Sequence, residues 1–148
     1  MPRLSKAAAQ ERKARIVALA EKRFVQNGYE QTTVDEIVKE IGLAKGTYYY
    51  HFDSKEDLMI AVSEKLILET STKLNAVYNR KDKDIVWRIR NVLKTYQDDF
   101  YRNKGIWRQV YHWRNAMLYH RVAHISAQRF TPILEDLLAE ASREGKVE

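Results

Sequence analysis

The segment that most constrains the fold is residues 33–52, which contain two short helical patterns joined by a glycine turn. Thr33, with Glu36 three residues later, forms a capping box that marks the start of the first helix. Gly42 then permits a sharp turn, and a second helix is expected over residues 45–51. The first helix has an apolar face that can pack on a core: Val34, Ile37, Val38 and Ile41. This arrangement is typical of a helix-turn-helix.

The rest of the chain also predicts helices, so we expect an all-α fold. The 148 residues contain two prolines and five glycines, and no alternating apolar pattern indicates a strand. We expect residues 1–12 to form a loose basic arm. A first helix should follow and end at about Gln26, with Gly28 as its left-handed cap.

The second half of the chain predicts a series of longer helices. Ser54, with Asp57 as its reciprocal cap, should open a fourth helix that reaches Tyr78. Residues 79–84 form a charged break, after which helical patterns resume. Pro132 should bend or interrupt the last long helix, because proline lacks a backbone N–H group.

The composition restricts the classes of protein that fit. A net charge of +6 agrees with an anionic partner, although an ordinary basic protein would have the same charge. The absence of cysteine excludes a disulfide scaffold, a thiolate zinc site and a cysteine nucleophile. No apolar run approaches the roughly 18 residues that span a bilayer, and the first residues lack a signal-peptide core. We therefore expect a cytoplasmic protein with no membrane partner.

The second helix of the motif carries side chains that suit the major groove of double-stranded DNA. Lys45 can reach a guanine edge or a phosphate, and Gly46 lets the start of the helix lie close to the DNA. Thr47 and Tyr49 can contact bases. A tyrosine cluster alone is more often packing than recognition, and we expect Tyr48 and other inward-facing rings such as Phe52 to belong to the core.

A second group of side chains is predicted to contact backbone phosphates. Tyr50, His51 and Lys55 are placed for this role, and Thr32 or Thr33 can bind a phosphate at the start of the preceding helix. Two alternatives stay open. Thr33 could serve only as a helix cap, and Lys55 could be only a solvated lysine.

Residues 12–62 resemble the DNA-binding domain of the TetR (tetracycline-repressor) family of bacterial regulators. The resemblance implies a repressor that binds a near-palindromic operator as a homodimer and leaves it when a small ligand enters a second lobe. Ala44 departs from the family pattern, in which serine is common at this place, and so do Tyr48 and Val38. The residues that carry the resemblance are Phe24, Gly28, Tyr29, Thr32, Thr33, Val34, Ile37, Gly42, Leu43, Lys45, Gly46, Thr47, Tyr49, His51, Phe52, Ser54, Lys55, Glu56, Asp57 and Leu58.

The resemblance also implies a division into domains. Residues 1–54 are expected to form a three-helix helix-turn-helix domain, and residues 55–148 a helical effector-binding lobe. Residues 137–148 resemble the close of the seventh helix of the family. The two following helices, which form most of the family's dimer interface, are absent from this sequence. We therefore expect a truncated lobe, or a dimer that uses another surface.

The lobe is rich in large aromatic residues, and the resemblance suggests a ligand cavity among them. Ring walls suit a small apolar or aromatic effector, whereas ordinary core packing is an equally good interpretation of any single ring. Arginines at positions 88, 90, 108 and 114 could hold an acidic effector, although solvated helix faces are the favoured interpretation. The predicted ligand-binding residues are Trp87, Tyr96, Phe100, Trp107, Tyr111 and Trp113.

Other functions find less support in the sequence. His120 and His124 are spaced for a metal, but no third ligand is evident, so neither a metal site nor a cofactor is predicted. The chain lacks a recognisable nucleophile–base pair, phosphate loop or pair of catalytic acids, so no enzyme is predicted. A helical module that binds other proteins through its aromatic face is the remaining alternative.

Overall fold

The computed structural model describes residues 5–148, apart from the side chain of Trp113. Every regular element in these residues is helical, which confirms the predicted all-α class. The elements are α1 (Lys6–Asn27), α2 (Val34–Ile41), α3 (Lys45–His51), α4 (Lys55–Tyr78), α5 (Ile85–Arg102), α6 (Lys104–Val110), a 3₁₀ turn (Trp113–Asn115) and α7 (Ala116–Arg143).

The chain divides into two compact units, an N-terminal unit that extends to Ser63 and a C-terminal unit that starts at Glu64. The division falls inside α4, whereas the predicted domain boundary falls at the beginning of that helix. The functional boundary after residue 54 stays a prediction. Among the described residues, no helix is both long and apolar enough to cross a membrane.

The predicted loose arm is wrong for residues 6–12, which form the first turns of α1. The side chain of Ser5 caps the helix by accepting a hydrogen bond from the backbone N–H of Ala8 at 3.2 Å. Three alanines follow at positions 7–9, and alanine is the best helix former. Residues 1–4 of the predicted arm lie outside the described part of the chain.

Both glycine turns of the N-terminal unit have positive φ, but only one is a left-handed cap. Gly42 has φ 77° and ψ 31°, which is the left-handed conformation. Gly28 has φ 90° and ψ 151°, so the prediction of a left-handed cap there is wrong. The capping box is confirmed, because Thr33 Oγ1 accepts from the N–H of Glu36 at 3.2 Å and Glu36 Oε2 accepts from the N–H of Thr33 at 3.1 Å.

The core of the N-terminal unit holds α3 in place through Tyr48. The ring of Tyr48 is fully buried, and its hydroxyl donates to the carbonyl of Ser54 at 2.8 Å. Phe52 is also buried, which confirms the prediction that these two rings belong to the core. Other buried side chains of this core are Ile16, Ala20, Phe24, Ile37 and Leu58.

The C-terminal unit has an apolar core at one end and two buried charges. The core cluster consists of Leu74, Ile85, Val92, Ile133, Leu137 and Ala141. Arg88 is only 3% exposed and forms a two-pronged ion pair with Glu140, with Nη1 3.1 Å from Oε2. The favoured prediction of a solvated face is therefore wrong for Arg88. Asp99 is the second buried charge, and its contacts with Thr70 and Lys73 tie α5 to α4.

Pro132 does not interrupt the last helix, as α7 continues from Ala116 to Arg143 with the proline inside it. The missing N–H removes one hydrogen bond of the helix ladder. Burial of the apolar side chains that flank Pro132, among them Ile133 and Leu137, accounts for the continuity of the helix. Gly145, with φ 66°, follows the end of α7 as predicted.

Candidate DNA interface and effector groove

The outward face of α3 consists of the side chains that do not join Tyr48 in the core. Tyr49 is 46% exposed and Tyr50 is 77% exposed, although both are large aromatic residues. Lys45 and Gly46 at the start of the helix are exposed as well, and Thr47 is half-buried. These five residues and His51, all predicted to contact DNA, therefore lie on one short helix that is anchored from behind by a buried ring.

Lys45 does not extend freely from α3. Its Nζ lies 2.9 Å from Oδ1 of Asp35 in the first turn of α2. The hydrogen bond and the charge of Asp35 raise the pKa of Lys45. Both side chains are largely exposed, so an anion of higher charge density can replace Asp35 as the partner of the ammonium group.

Thr32 is placed differently from the prediction. Its side chain is fully buried, and its hydroxyl donates to the carbonyl of Gly28 at 2.7 Å. The predicted phosphate contact of the Thr32 side chain is therefore wrong for this conformation, because the hydroxyl already donates to the backbone of the turn after α1. Thr33 is the helix cap of α2, which was one of its two predicted roles.

Lys55 also has a structural role inside the N-terminal unit. Its Nζ donates to the carbonyl of Tyr29 at 2.8 Å and lies 4.5 Å from the centroid of the Tyr29 ring. Burial, together with the nearby Glu56, Glu30 and Asp57, raises the pKa of Tyr29 to about 12. The alternative of a merely solvated lysine is wrong, and a phosphate contact by Lys55 stays a prediction.

His51 ends α3 in an unusual position. The residue is half-buried, and its Nε2 is enclosed without a hydrogen-bond partner among the described residues. The ring of Tyr50 packs against it at 5.0 Å between centroids. Burial lowers the pKa of His51, and the positive charges of Arg12 and Lys13 lower it further. The sequence did not indicate these two neighbours of His51, because position 12 was expected in a loose arm and Lys13 at the start of a helix with no known contact.

The C-terminal unit contains an apolar groove between its helices. The groove has a cavity volume of about 330 Å³, and its lining side chains carry two hydroxyl groups, those of Ser126 and Tyr96. The rings of Tyr96 and Phe130 meet edge to face at 5.4 Å at its side. The other lining residues are Leu74, Val92, Leu93, Ala127, Ile133 and Leu134.

Of the five predicted ligand residues whose side chains the structure describes, only Tyr96 lines this groove. Phe100, Trp107 and Tyr111 form a neighbouring ring cluster, in which Phe100 and Trp107 stack at 6.4 Å. The hollow that this cluster shares with Tyr96 has a volume of about 20 Å³, which holds little more than a water molecule. The contacts among these three rings agree with the alternative interpretation, which was ordinary core packing.

Trp87, a further predicted ligand residue, lies apart from the groove. Trp87 lies near the start of α5, with Arg80 5.6 Å and Lys83 5.5 Å from its ring centroid. Its surface neighbours include Arg90 and Lys146 rather than the groove residues. Trp113 has no described side chain, so its predicted role lies outside the described part of the structure.

The described residues contain no group of three histidine or acidic side chains that could hold a metal ion. His120 and His124 therefore lack a third ligand from this part of the chain.

A three-helix unit that buries one face of a short helix and exposes the other defines the class of helix-turn-helix proteins. Residues 16–62 match the family model described as "Bacterial regulatory proteins, tetR family". This match confirms the resemblance to the TetR family that was stated from the sequence.

Known relatives agree with this assignment. The regulator QacR of Staphylococcus aureus is 27% identical over 109 residues, which cover 64% of this chain and 58% of QacR. The uncharacterized regulator YerO of Bacillus subtilis is 36% identical over 67 residues, which cover 45% of this chain and 23% of YerO. The chain thus spans between about a quarter and three fifths of the length of these relatives. Both are named as transcriptional regulators, which confirms the prediction that the chain is not an enzyme.

A solved structure supports the fold over nearly the whole chain. The TetR/AcrR-family regulator of Thermobifida fusca is 26% identical with a TM-score of 0.73. The superposition covers 93% of this chain and 74% of that protein. The superposition therefore extends beyond the N-terminal unit and includes most of the helical C-terminal unit.

Proposed function

We propose that this protein is a transcriptional repressor that binds an operator as a homodimer and leaves it when a small apolar or aromatic ligand occupies the groove. One observation carries the DNA-binding part of the proposal. The buried ring of Tyr48 fixes α3 from behind, while Tyr49, Tyr50 and Lys45 are presented outward. A rigid helix with exposed polar side chains can enter a major groove without first paying the entropy of ordering.

The division of roles on α3 follows from chemistry. Tyr49 and Thr47 offer hydroxyl groups and apolar edges to bases, whereas Lys45 and Tyr50 suit phosphate oxygens or guanine acceptors. Gly46 has no side chain to separate the helix from the DNA. The net charge of +6 favours the encounter with any duplex, whatever its sequence.

The groove in the C-terminal unit supports the effector part of the proposal. Its volume of about 330 Å³ lies at the lower end of ligand pockets, which suits a small molecule. Its lining is apolar except for the hydroxyls of Ser126 and Tyr96, so an apolar or aromatic ligand gains most from entering it.

The homodimer is part of the proposal because two recognition helices about 34 Å apart would occupy successive major grooves. One copy of α3 presents few base contacts, and a second copy raises the affinity by making the second binding event intramolecular. Mass measurement by analytical ultracentrifugation, with and without operator, tests this step. A monomer on a bound operator would contradict it.

The DNA-binding proposal is tested by selection from a random pool of duplexes, followed by titration of the selected duplex at several salt concentrations. We expect one enriched, near-palindromic sequence and a Kd that weakens steeply with salt, because each phosphate contact releases a counterion. Binding without enrichment of any sequence would contradict a regulator of specific genes.

The groove is tested with the apolar dye 1-anilinonaphthalene-8-sulfonate, whose fluorescence rises in apolar sites. Ala127→Phe places a ring in the groove, whereas Ala139→Phe adds the same ring to an exposed position of α7 outside it. We expect Ala127→Phe to weaken dye binding and Ala139→Phe to leave it unchanged. Equal dye binding by both variants would show that the groove is not the ligand site.

A further inference from the structure

We propose that His120 and His124 of α7 form a two-histidine chelate that binds a divalent transition-metal ion, with Cu²⁺ as the most tightly bound ion. The site lies on the surface of the C-terminal unit, and the proposed function does not use it. The sequence predicts no metal site at this pair, because a third ligand is not evident. A surface chelate needs only two side chains that lie on one face and have no other partner, since water can supply the remaining ligands.

The two histidines lie one turn apart on the same face of a helix. Both belong to an unbroken stretch of α7, which runs from Ala116 to Arg143. Residues four apart on a helix have Cβ atoms about 5–6 Å from each other. An imidazole nitrogen binds a metal such as zinc at about 2.0–2.1 Å, so two rings separated by one turn can meet at a single ion. Helical zinc sites use this spacing for two of their ligands.

Both imidazole rings are exposed and without a polar partner. Neither His120 nor His124 forms a hydrogen bond or an ion pair within the described part of the chain, so a metal ion displaces no existing partner. The other two histidines differ. Nε2 of His51 is enclosed, and Nδ1 of His112 accepts a hydrogen bond from the backbone N–H of Arg114 at 3.3 Å. The pair on α7 is therefore the place where two accessible imidazoles lie side by side.

Ring contacts orient one of the two ligands. The ring of Tyr119 packs on the ring of His120 at 5.4 Å between centroids. Tyr111 packs in turn on Tyr119, also at 5.4 Å. A ligand that is already ordered loses less conformational entropy when the ion binds. His120 is therefore the ligand that positions the ion, and His124 closes the chelate.

The two imidazoles select the class of metal. Neutral imidazole is a good ligand for Cu²⁺, Zn²⁺ and Ni²⁺, whereas Mg²⁺ and Ca²⁺ prefer oxygen ligands. Among the divalent first-row ions, Cu²⁺ binds a given nitrogen site most tightly. Because no group of three histidine or acidic side chains is available in residues 5–148, water completes the coordination of the ion.

The closing experiment moves one histidine without changing the composition. In the double variant His124→Gln with Gln128→His, the two histidines are about 12 Å apart along the helix axis, too far to share an ion. Both exchanged positions are exposed, so the core is untouched. CuCl₂ is titrated into each protein by isothermal calorimetry at about pH 7.5, where imidazole is mostly neutral. His120→Gln removes one ligand, and His112→Gln is the matched loss of a histidine outside the pair.

We expect the unmodified protein to bind one Cu²⁺ per chain. His120→Gln and the exchanged variant should each weaken the Kd by at least about tenfold, since loss of even an outer partner of a metal site costs about 10–100-fold. His112→Gln should leave the Kd unchanged. ZnCl₂ should bind more weakly than CuCl₂, and MgCl₂ should not bind. The same Kd for the unmodified and exchanged proteins would overturn the chelate, because any exposed histidine would then be sufficient.

Electron paramagnetic resonance of the Cu²⁺ complex counts the coordinating imidazoles. We expect two in the unmodified protein and one in His120→Gln. One ion per two chains, with a doubled mass in ultracentrifugation, would overturn a chelate formed within a single chain. Circular dichroism shows whether each variant keeps its helical content. None of these measurements uses DNA or the apolar dye, so failure of the metal site and failure of the proposed function are distinguishable.

Discussion

Lys45 Nζ and Asp35 Oδ1 lie 2.9 Å apart, so the first cation of α3 is held by a carboxylate of α2. In an exposed pair of this kind the net stabilisation is small, because both groups are well solvated when they separate. A phosphate or a guanine edge can therefore take over the ammonium group at little cost. Asp35 would then be left near the DNA as a negative charge that opposes binding.

Asp35→Asn should strengthen DNA binding, because it removes both the competing partner of Lys45 and a repulsive charge. We expect the Kd for operator and random duplexes to fall about two- to fivefold at low salt, which matches a surface pair of up to ~1 kcal/mol. Glu135→Gln, at an exposed position of the other unit, is the control for the change in net charge. Titration by anisotropy decides, and a weaker complex for Asp35→Asn would contradict the competition.

Tyr49→Ala and Tyr50→Ala should separate base reading from phosphate binding. Tyr49→Ala is expected to reduce the ratio of operator to random-duplex affinity by about tenfold, since a lost base contact costs about 1–3 kcal/mol. Tyr50→Ala should weaken both affinities to the same extent. The ring of Tyr49 also packs edge to face on Tyr48 at 5.1 Å, so the free energy of unfolding is measured for both variants. A constant affinity ratio for Tyr49→Ala would remove its base-reading role.

Local signals in the sequence are sufficient to predict α2 and α3. The capping box of Thr33 and Glu36, the glycine turn and the apolar spacing all concern residues a few positions apart, and the structure confirms them. Tyr48 was placed in the core correctly for the same reason. A local cap, Ser5, also decides the start of α1. The basic composition of the first residues instead favoured the prediction of a loose arm.

The positions that depend on distant parts of the chain could not be predicted in this way. Thr32 is buried because its hydroxyl meets the carbonyl of Gly28, and Lys55 bonds to Tyr29, which is 26 residues away. Arg88 pairs with Glu140 across 52 residues. Periodicity assigns a face to each helix but not the element that this face meets. Of the predicted ligand residues with described side chains, only Tyr96 therefore lines the apolar groove.

Asp99→Asn should destabilise the C-terminal unit by about 2 kcal/mol at neutral pH, the range for hydrogen bonds to a charged group. Asp99 is 3% exposed and accepts from Thr70 Oγ1 at 2.9 Å and from Lys73 Nζ at 2.6 Å. Burial is the largest single influence on the pKa of Asp99 and raises it, but the two hydrogen bonds and the charges of Lys73 and Arg102 outweigh it and lower the pKa.

The pH dependence of this effect follows from the lowered pKa. The ionised Asp99 contributes its stability above its unfolded pKa near 4 and loses it as the pH falls through the lower folded value. Urea unfolding should therefore show the difference between Asp99→Asn and the unmodified protein shrinking below about pH 4. Asp98→Asn, whose exposed partner is Lys94, is the adjacent control and should cost about 0.5 kcal/mol or less. Equal losses for the two variants would contradict the role of burial.

Ala44→Ser should stabilise the N-terminal unit by about 1 kcal/mol. Ala44 has φ −71° and ψ 146°, the extended conformation that a capping residue adopts, but its side chain makes no capping hydrogen bond. A serine hydroxyl at this position can accept from a free N–H of the first turn of α3. Ala44→Val adds volume without a hydrogen-bond acceptor, so it should not stabilise the N-terminal unit. Thermal unfolding of the two variants tests the missing cap, and equal melting temperatures would rule it out.

Gly46→Ala should separate the stability of α3 from its approach to DNA. A Cβ atom at Gly46 meets no atom within 4 Å, and alanine is favoured over glycine inside a helix by about 0.5–1 kcal/mol. The variant should therefore unfold at a higher urea concentration. If the backbone at Gly46 lies against the DNA, the added methyl group must nevertheless weaken the complex, so affinity and stability change in opposite directions. Gly28→Ala provides the contrast, because φ 90° at that position strains any side chain and should lower stability. A Gly46→Ala protein with higher stability and an unchanged Kd would show that α3 does not approach the DNA through its glycine.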